Sequence, residues 1–213
     1  MNFLNKLTQS RETILEMLTL RGFNSDKYKE YTSAELDILL KNMNSKLNYE
    51  NMPLDMVVEH NDIGKKCVLK YVLSRIRVSN LKSFIGELIE YEVVKPNDEL
   101  IFIVKDKINN LESFYELFDN FLESNSLFIQ IFSIDNLLRN ITKHELVPKM
   151  RIVSVEEKKQ IKEKYDVENM NNMPIILKSD PVAKFYGVRT GDLCEIIRTS
   201  ETSGKYISYR YCD

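Results

Sequence analysis

Residues 179–212 constrain this chain more than any other stretch, because nearly every position that must cap, turn or alternate carries a residue suited to it. Asp180 can accept hydrogen bonds from the first free N–H groups of a helix, and Pro181 stands at the first helical position, where no N–H is needed. Gly187 can adopt the left-handed conformation that ends a helix. Arg189, Thr190, Gly191 and Asp192 then make a turn into a strand expected over 193–199. Along it Cys194, Ile196 and Arg198 face one way, and Leu193, Glu195 and Ile197 the other. The polar run 200–205, with Gly204 near its end, predicts a hairpin. A second strand over 206–212 places Ile207, Tyr209 and Tyr211 on one face, and Tyr206, Ser208, Arg210 and Cys212 on the other.

This short β-unit is crowded with Arg198, Ser200, Glu201, Thr202, Tyr206, Tyr209 and Arg210. Tyr and Arg combine contact area with polar ends and are enriched in protein interfaces. Composition alone also describes a solvated hairpin, the commoner case, because charged side chains are mostly exposed.

Upstream, the spacing of Leu4, Leu7, Ile14, Met17 and Leu18 predicts a helix over about 4–20 that Gly22 ends. Thr32 and Glu35 form a capping box for a second helix burying Leu36, Leu39, Leu40 and Met43, and 24–31 reads as a surface loop. Strands are expected at 55–59 and 67–73 around a turn at 60–64. A third helix, capped by Ser79, carries Leu81, Phe84, Ile85, Leu88 and Ile89. After Pro96, Asn97 and Asp98 comes a wholly apolar strand at 100–104, of the kind buried on both faces. Asn110 caps a helix with Leu111, Phe114, Leu117, Phe118, Phe121 and Leu122, and 127–132 is another apolar strand. Strand–helix alternation argues for α/β layers. In the last part, Ser154 and Glu157 form a second capping box, opening a charged helix to about Tyr165 with a narrow packing stripe of Val155, Ile161 and Tyr165.

Charge is split along the chain. Residues 1–138 hold 16 Lys and Arg against 21 Asp and Glu, net −5; residues 139–213 hold 14 against 11, net +3. Neither part has the basic excess of a protein that holds nucleic acid by itself. Cys67, Cys194 and Cys212 are isolated, which fits buried thiols in a reducing compartment and excludes a usual structural zinc site. No apolar run is long enough to span a membrane, and no signal peptide is read.

The sequence offers little catalytic chemistry. His60, near Glu59 and Asp62, reads as a solvated loop histidine, and His144 as one that hydrogen-bonds backbone beside the direction-setting Pro148. A metal-dependent nuclease needs an acid on one strand and an acid-x-Lys on the next. Glu59 could be the first acid, but Lys70 has no acid two residues before it, and Asp98 and Glu99 lack a lysine at that spacing. No phosphate-binding glycine loop occurs. No cofactor, metal or small-molecule substrate is therefore expected.

Several separated motifs, in order, carry a resemblance. They are Ile141-Thr142-Lys143-His144-Glu145-Leu146-Val147-Pro148-Lys149, Ser179-Asp180-Pro181-Val182-Ala183, Gly187, Arg189, Gly191, Ile196-Ile197-Arg198, Ser200-Glu201-Thr202-Ser203-Gly204, and Tyr206 with Tyr209-Arg210. From about Asn140 to the end this resembles the fifth subunit shared by the eukaryotic nuclear RNA polymerases, whose carboxy-terminal part is similar to a small subunit of the archaeal polymerase. Around Ser10 to Phe23 and at the apolar strands the likeness is weaker. A Thr-Pro-Ser-Ala run expected after the strand at 100–104 is replaced by Asn109-Asn110-Leu111-Glu112-Ser113.

The resemblance implies an α/β jaw domain over 1–137, like restriction endonucleases but inactive, and a small α+β assembly domain over 138–213. The chain would be a non-catalytic subunit of a multisubunit DNA-dependent RNA polymerase, docked on the largest subunit, with the jaw beside downstream DNA. Partner-binding residues would be His144, Pro148, Asp180, Pro181, Arg189, Gly191, Arg198, Ser200, Glu201, Thr202, Gly204, Tyr206, Tyr209 and Arg210. Arg198 and Arg210 would supply charge-assisted hydrogen bonds, and Tyr206 and Tyr209 flat contact area. Glu201 would sit at the rim or lock the hairpin, while Val182, Ile196 and Ile207 would be core. Lys105 and Lys107, at a strand end, would reach a DNA phosphate within the complex. A free-standing adaptor reusing the same module, or a degenerate nuclease, are the alternatives. A cellular polymerase implies the nucleus. The divergent jaw and a bias to Asn, Lys and Ile also suit a large DNA virus working in host cytoplasm or virion.

Overall fold

In a computed structural model of the protein, residues 3–29, 33–41, 54–105, 107–108, 111–200 and 204–213 are described, without the side chains at 33, 39–41 and 199–200. Thr32 of the first capping box, Met43, Asn110, Glu201 and Thr202 lie outside the described residues, as do the side chains of Leu39, Leu40 and Ser200. The chain divides into two compact units, Met1–Arg139 and Asn140–Asp213. Both mix helices with a sheet.

In the first unit, α1 (Phe3–Leu20) buries Leu7, Ile14, Met17 and Leu18, the stripe its spacing predicts. Gly22 follows at φ +86°, where a Cβ would meet His60 Nε2 at 2.7 Å, so glycine alone fits both the backbone and the space. The next segment, expected as a surface loop over 24–31, is largely exposed where it is described, with Ser25 buried. Phe23 is buried in a two-residue strand, β1 (Phe23–Asn24), followed by one turn of 3-10 helix over Asp26–Tyr28. A two-residue strand has no periodicity to display. Nor is His60 a solvated loop residue. It ends β2 (Met56–His60), with its ring edge-on to Phe23 at 5.3 Å between centroids and Nδ1 accepting the Asp62 N–H at 3.1 Å.

After α2 (Ser33–Lys41), β2 pairs antiparallel with β3 (Lys66–Val72). β3, β4 (Glu99–Val104) and β5 (Phe128–Ser133) run parallel, giving the order β1-β2-β3-β4-β5. Parallel neighbours need crossovers, here α3 (Val78–Glu90) and α4 (Leu111–Asn125). Leu81 and Phe84 of α3, and Phe114 and Phe118 of α4, pack with Val68, Phe102 and Ile131 in one core. All six residues of β4 are buried, which is why the strand after Glu99 reads as an unbroken apolar run. Ser79 does not cap α3. Extended backbone at Arg77 (φ −125°, ψ 145°) starts the helix earlier than the serine implies, and Ser79 Oγ lies inside it, bonded to Asn80.

At the start of β4 lie buried charges that sequence reasoning did not pair. Glu99 accepts from Arg21 at 3.1 Å and from Lys65 at 2.5 Å, and Arg21 also donates to Gln130 at 2.7 Å. The Asp98 carboxylate accepts the backbone N–H groups of Lys66 and Lys95, clamping the turn in which Asn97 takes φ +72°. Burial, reinforced by Glu99, pushes the Cys67 thiol up.

The second unit holds a four-stranded sheet, β6 (Lys149–Ile152), β7 (Ile175–Ile176), β8 (Leu193–Ser200) and β9 (Gly204–Cys212), in the order β6-β8-β9-β7. β8 and β9 form the expected hairpin, Leu193 opposite Tyr211 through Ser200 opposite Gly204, with Gly204 at φ +69°. α6 (Pro181–Tyr186) is punctuated as read: Asp180 accepts from the N–H groups of Val182 and Ala183 at 2.8 and 3.0 Å, Pro181 is its first residue, and Gly187 ends it at φ +73°. The strand alternation sorts two small cores. Met150, Cys194, Ile196 and Cys212 pack with Ala183 of α6; Leu193, Tyr209 and Tyr211 pack with Ile161 of α5 (Val155–Lys164).

α5 opens with both hydrogen bonds of the Ser154–Glu157 capping box. Its predicted stripe is only partly realised: Ile161 is buried, Tyr165 meets Tyr209 edge-on at 5.9 Å, and Val155 is 66% exposed. At about 100° per residue, a spacing of four keeps Tyr165 near Ile161, whereas a spacing of six swings Val155 roughly 120° away. Burial raises the Cys194 thiol to about 12 and the Cys212 thiol to about 11, so both stay protonated and inert.

Candidate partner-binding site

The hairpin extends past the structure that covers it. β6 pairs with β8 only from Cys194 to Ile197. Beyond that point Arg198 and Lys205 are exposed, Tyr206 is 59% exposed and Ile207 47%. Ile207 was expected in the core; it sits opposite Ile197 on the face of α5, but past the region that α5 covers. An open groove is left here, bounded by residues 145–149 on one side and by Ile197, Arg198, Lys205 and Ile207 on the other.

Residues 145–149 form the groove's near wall, and local hydrogen bonds just before them set its course. Asn140 caps the 3-10 turn Ile141–Lys143 by accepting from Thr142 N–H at 2.9 Å. His144 follows, exposed, with Nδ1 accepting from Leu146 N–H at 3.2 Å while its carbonyl accepts from Val147 N–H at 2.9 Å. This is the backbone-bonding role read from the sequence. Leu146, which sequence reasoning passed over, is left 83% exposed. Pro148 then turns the chain into β6.

The other candidate residues fall into two groups. Asp180, Pro181, Arg189 and Gly191 shape the opposite end of the hairpin. The Arg189 backbone N–H donates to the Asp192 carboxylate at 2.8 Å, and Gly191, at φ +93°, donates to the Cys212 carbonyl at 2.9 Å. The Gly191 carbonyl accepts from Lys158 Nζ at 2.5 Å. Tyr209 and Arg210 bond within the unit. The Tyr209 hydroxyl donates to Glu195 at 3.3 Å, and burial together with that carboxylate raises its pKa. Arg210 donates to the Ile175 carbonyl at 3.0 Å and ties β7 to the hairpin. Arg198 forms no hydrogen bond or ion pair with a described residue, so of the two hairpin arginines it alone presents its guanidinium outward. Ser200 ends β8 opposite Gly204, and Glu201 and Thr202 lie outside the described residues.

One cluster could not be read from the sequence. Arg151 on β6 bridges Glu195 on β8 (2.9 Å) and Glu157 in the first turn of α5 (2.9 and 3.0 Å). Hydrogen bonds from Arg151, then from the Ser154 backbone, hold the Glu157 carboxyl at about 2. The pairing needs both the sheet register and the capping box, and neither partner is near the other in a pattern that sequence reveals.

The nuclease constellation does not assemble. Lys70 is buried in an ion pair with Asp55 at 2.8 Å, and Asp55 also accepts the Tyr71 N–H. Glu59 instead pairs with Lys66 at 3.4 Å on the surface. Among the described residues no three His, Cys, Asp or Glu side chains converge to hold a metal ion. Lys105 and Lys107 are exposed beyond β4, with Lys105 Nζ 5.1 Å from the centroid of the Phe3 ring. No helix among the described residues is long and apolar enough to cross a membrane.

Residues 139–212 match the family model of the RNA polymerase Rpb5 C-terminal domain. The carboxy-terminal unit belongs to that family. The match spans both cores of the Rpb5-type unit, the hairpin and the 144–148 turn. Similarity also runs through the amino-terminal unit. The chain is 27% identical over 212 residues to the DNA-directed RNA polymerases I, II, and III subunit rpabc1 of Dictyostelium discoideum, covering 100% of both chains. It is 29% identical over 224 aligned positions to subunit RPABC1 of Caenorhabditis elegans, covering 96% of this chain and 94% of the relative. The Caenorhabditis briggsae RPABC1 is similar at 28%.

Proposed function

We propose that this chain is a non-catalytic, structural subunit of a multisubunit DNA-dependent RNA polymerase. The observation that carries the reading is the pairing of an Rpb5 C-terminal domain with full-length similarity to relatives that are themselves polymerase subunits. The Rpb5-type unit is the assembly module and docks on the largest subunit. The groove end of the hairpin supports this, because exposed Arg198, Tyr206 and Ile207 together are the mixture that protein interfaces favour. His144 and Pro148 shape the groove wall. Asp180, Pro181, Arg189 and Gly191 set the far end, Gly204 the turn, and Tyr209 and Arg210 keep the hairpin rigid. Ser200, Glu201 and Thr202 complete the contact with the partner.

The amino-terminal unit is a jaw with the layered architecture of restriction endonucleases and no nuclease activity. The parallel strands β3–β4–β5 between crossover helices support the architecture, and the use of Lys70 in an ion pair with Asp55 supports the loss of chemistry. Its net charge of −5 leaves DNA contact to the assembled enzyme, where Lys105 and Lys107 meet a downstream phosphate. The subunit works where its polymerase works: the nucleus for a cellular enzyme, host cytoplasm or virion for that of a large DNA virus.

Affinity purification of the tagged chain in high salt, followed by quantitative mass spectrometry, tests the reading. Recovery of the two largest polymerase subunits in equal proportion is expected. Polymerase recovered well below that proportion would instead make the chain an adaptor that borrows the module.

A further inference from the structure

One face of the Rpb5-type sheet is covered by α5, and the cover stops partway along the strands. The register sets side chains on this face in rows. Lys149, Ile197 and Ile207 form one row, Arg151, Glu195 and Tyr209 the next, and Leu193 and Tyr211 a third. Lys205 lies past Ile207 on the same face, whereas Arg198 points to the other. α5 crosses the strands instead of following them. Its Glu157 bonds Arg151 of β6, its Ile161 packs with Leu193 of β8, and Tyr165 just beyond it meets Tyr209 of β9. The helix therefore lies over the second and third rows. The first row is beyond it, with Lys149 exposed and Ile207 47% exposed.

The spacing suits a second helix there. Packed helices lie about 8–10 Å apart, and a strand advances about 3.4 Å per residue. With α5 centred near Cys194, a helix at its side falls about three residues further along β8, over Ile197. The chemistry of the strip is mixed. Ile197, Ile207 and the 83% exposed Leu146 supply apolar surface at the groove. Arg151 in the neighbouring row is already held by Glu195 and Glu157. Lys149 and Lys205 pair with no carboxylate among the described residues, and Glu145 is the one carboxylate among the described residues that line the groove. A helix matches such a mixture, because residues three and four apart form its apolar stripe and charged residues border that stripe.

We propose that this strip seats an acidic amphipathic helix of a partner chain, lying beside α5 and completing the helical cover of the sheet. Its apolar side chains, at positions i, i+3, i+4 and i+7, rest on Ile197, Ile207 and Leu146. Carboxylates along its flanks meet Lys149 and Lys205. The proposal rests on reading this unit as an assembly module, and it names the chemistry of the segment that the module holds.

The test uses the full chain and three labelled synthetic peptides of about 15 residues. The first sets Leu at helical spacing among Glu, and the second sets Leu at the same spacing among Lys. The third has the composition of the first, reordered so that Leu and Glu alternate. The first is expected to bind, to gain helical circular dichroism on binding, and to bind more weakly as salt rises. The other two should bind about tenfold more weakly or worse. Ile207→Ser should weaken binding of the first peptide about tenfold with an unchanged melting temperature, since the side chain is half exposed. If that variant fails to fold, Leu146→Ser takes its place. Lys149→Glu with Lys205→Glu should shift the preference to the basic peptide. No binding of the first peptide, no gain of helical signal, equal binding of acidic and basic peptides, tighter binding of the alternating one, or indifference to charge reversal would each overturn the proposal. So would self-association of the chain that Ile207→Ser abolishes, because the occupant would then be a second copy.

Polymerase purification with the same variants separates this idea from the wider reading. A charge-reversed chain that enters polymerase as well as the original leaves the subunit reading intact and removes the strip as its dock. A chain that recovers no polymerase, yet binds the acidic helical peptide, keeps the strip and changes the partner.

Discussion

The two units treat arginine in opposite ways. In the amino-terminal unit the Arg21 side chain is only 4% exposed and is held between Glu99 and Gln130. In the carboxy-terminal unit Arg198 is exposed near a strand end, and its side chain bonds to no described residue. The cause lies in topology. Parallel strands joined by crossover helices are covered on their faces, so β4 is buried along its whole length and any charge at its end must be paired. An antiparallel hairpin needs only a short turn and can run past the helices that cover it, as β8 and β9 do. The first arrangement holds a unit together, whereas the second leaves a surface for another chain.

The largest expected effect tests the closed unit. Phe102 is fully buried in β4, and Phe102→Ala should cost about 3–5 kcal/mol in denaturant unfolding. A cost below about 1 kcal/mol would mean the core relaxes around the lost ring. Arg21→Ala comes next. It takes a cation from buried Glu99, which keeps its pairing with Lys65, and a loss of about 3 kcal/mol is expected. A loss no larger than that of an exposed pair such as Lys6 with Asp135, about 0–1 kcal/mol, would erase the contrast between the units.

The hairpin arginines sharpen the comparison within one unit. Arg210→Ala should lower stability by about 1 kcal/mol through the lost bond to Ile175. Arg198→Ala should change stability by less than about 0.5 kcal/mol yet reduce recovery of polymerase subunits in purification. The reverse ordering would show that Arg198 is the structural residue of the two. The smallest effect is one of pH. Glu157 falls from an ordinary 4.5 to about 2 in the folded protein, so its contribution is complete above pH 4.5 and disappears as pH falls toward 2. Comparing the original with Glu157→Gln across that window should give stability curves that converge at the acid end; curves that stay parallel would remove the Arg151 bridge as the cause.

Much of the carboxy-terminal unit was legible because its signals are local. Asp180, Pro181 and Gly187 each act on backbone within a few residues, and the Ser154–Glu157 box closes on itself. Strand alternation put Cys194 and Ile196 on one face, and there they share a core. Ile207, expected in the core, is 47% exposed, because alternation reports which face a residue takes and not where the cover over that face stops. Ser79 failed for a related reason: serine favours a cap, but the extended Arg77 backbone decided where the helix begins. His60 looked like a loop residue until Gly22 and Phe23, distant in sequence, closed around its ring.

The sequence by itself determined the hairpin, the caps of α5 and α6 and the family resemblance, since each depends on periodicity or on residues acting over one turn. Tertiary structure alone decided that Glu99 is held by Arg21 and Lys65, that Arg151 joins Glu195 to Glu157, that Arg210 is engaged while Arg198 is not, and that β6 stops short of Thr199. Those outcomes depend on register and on where one element ends against another. Such quantities arise only when segments far apart in the chain meet, so no local spacing encodes them.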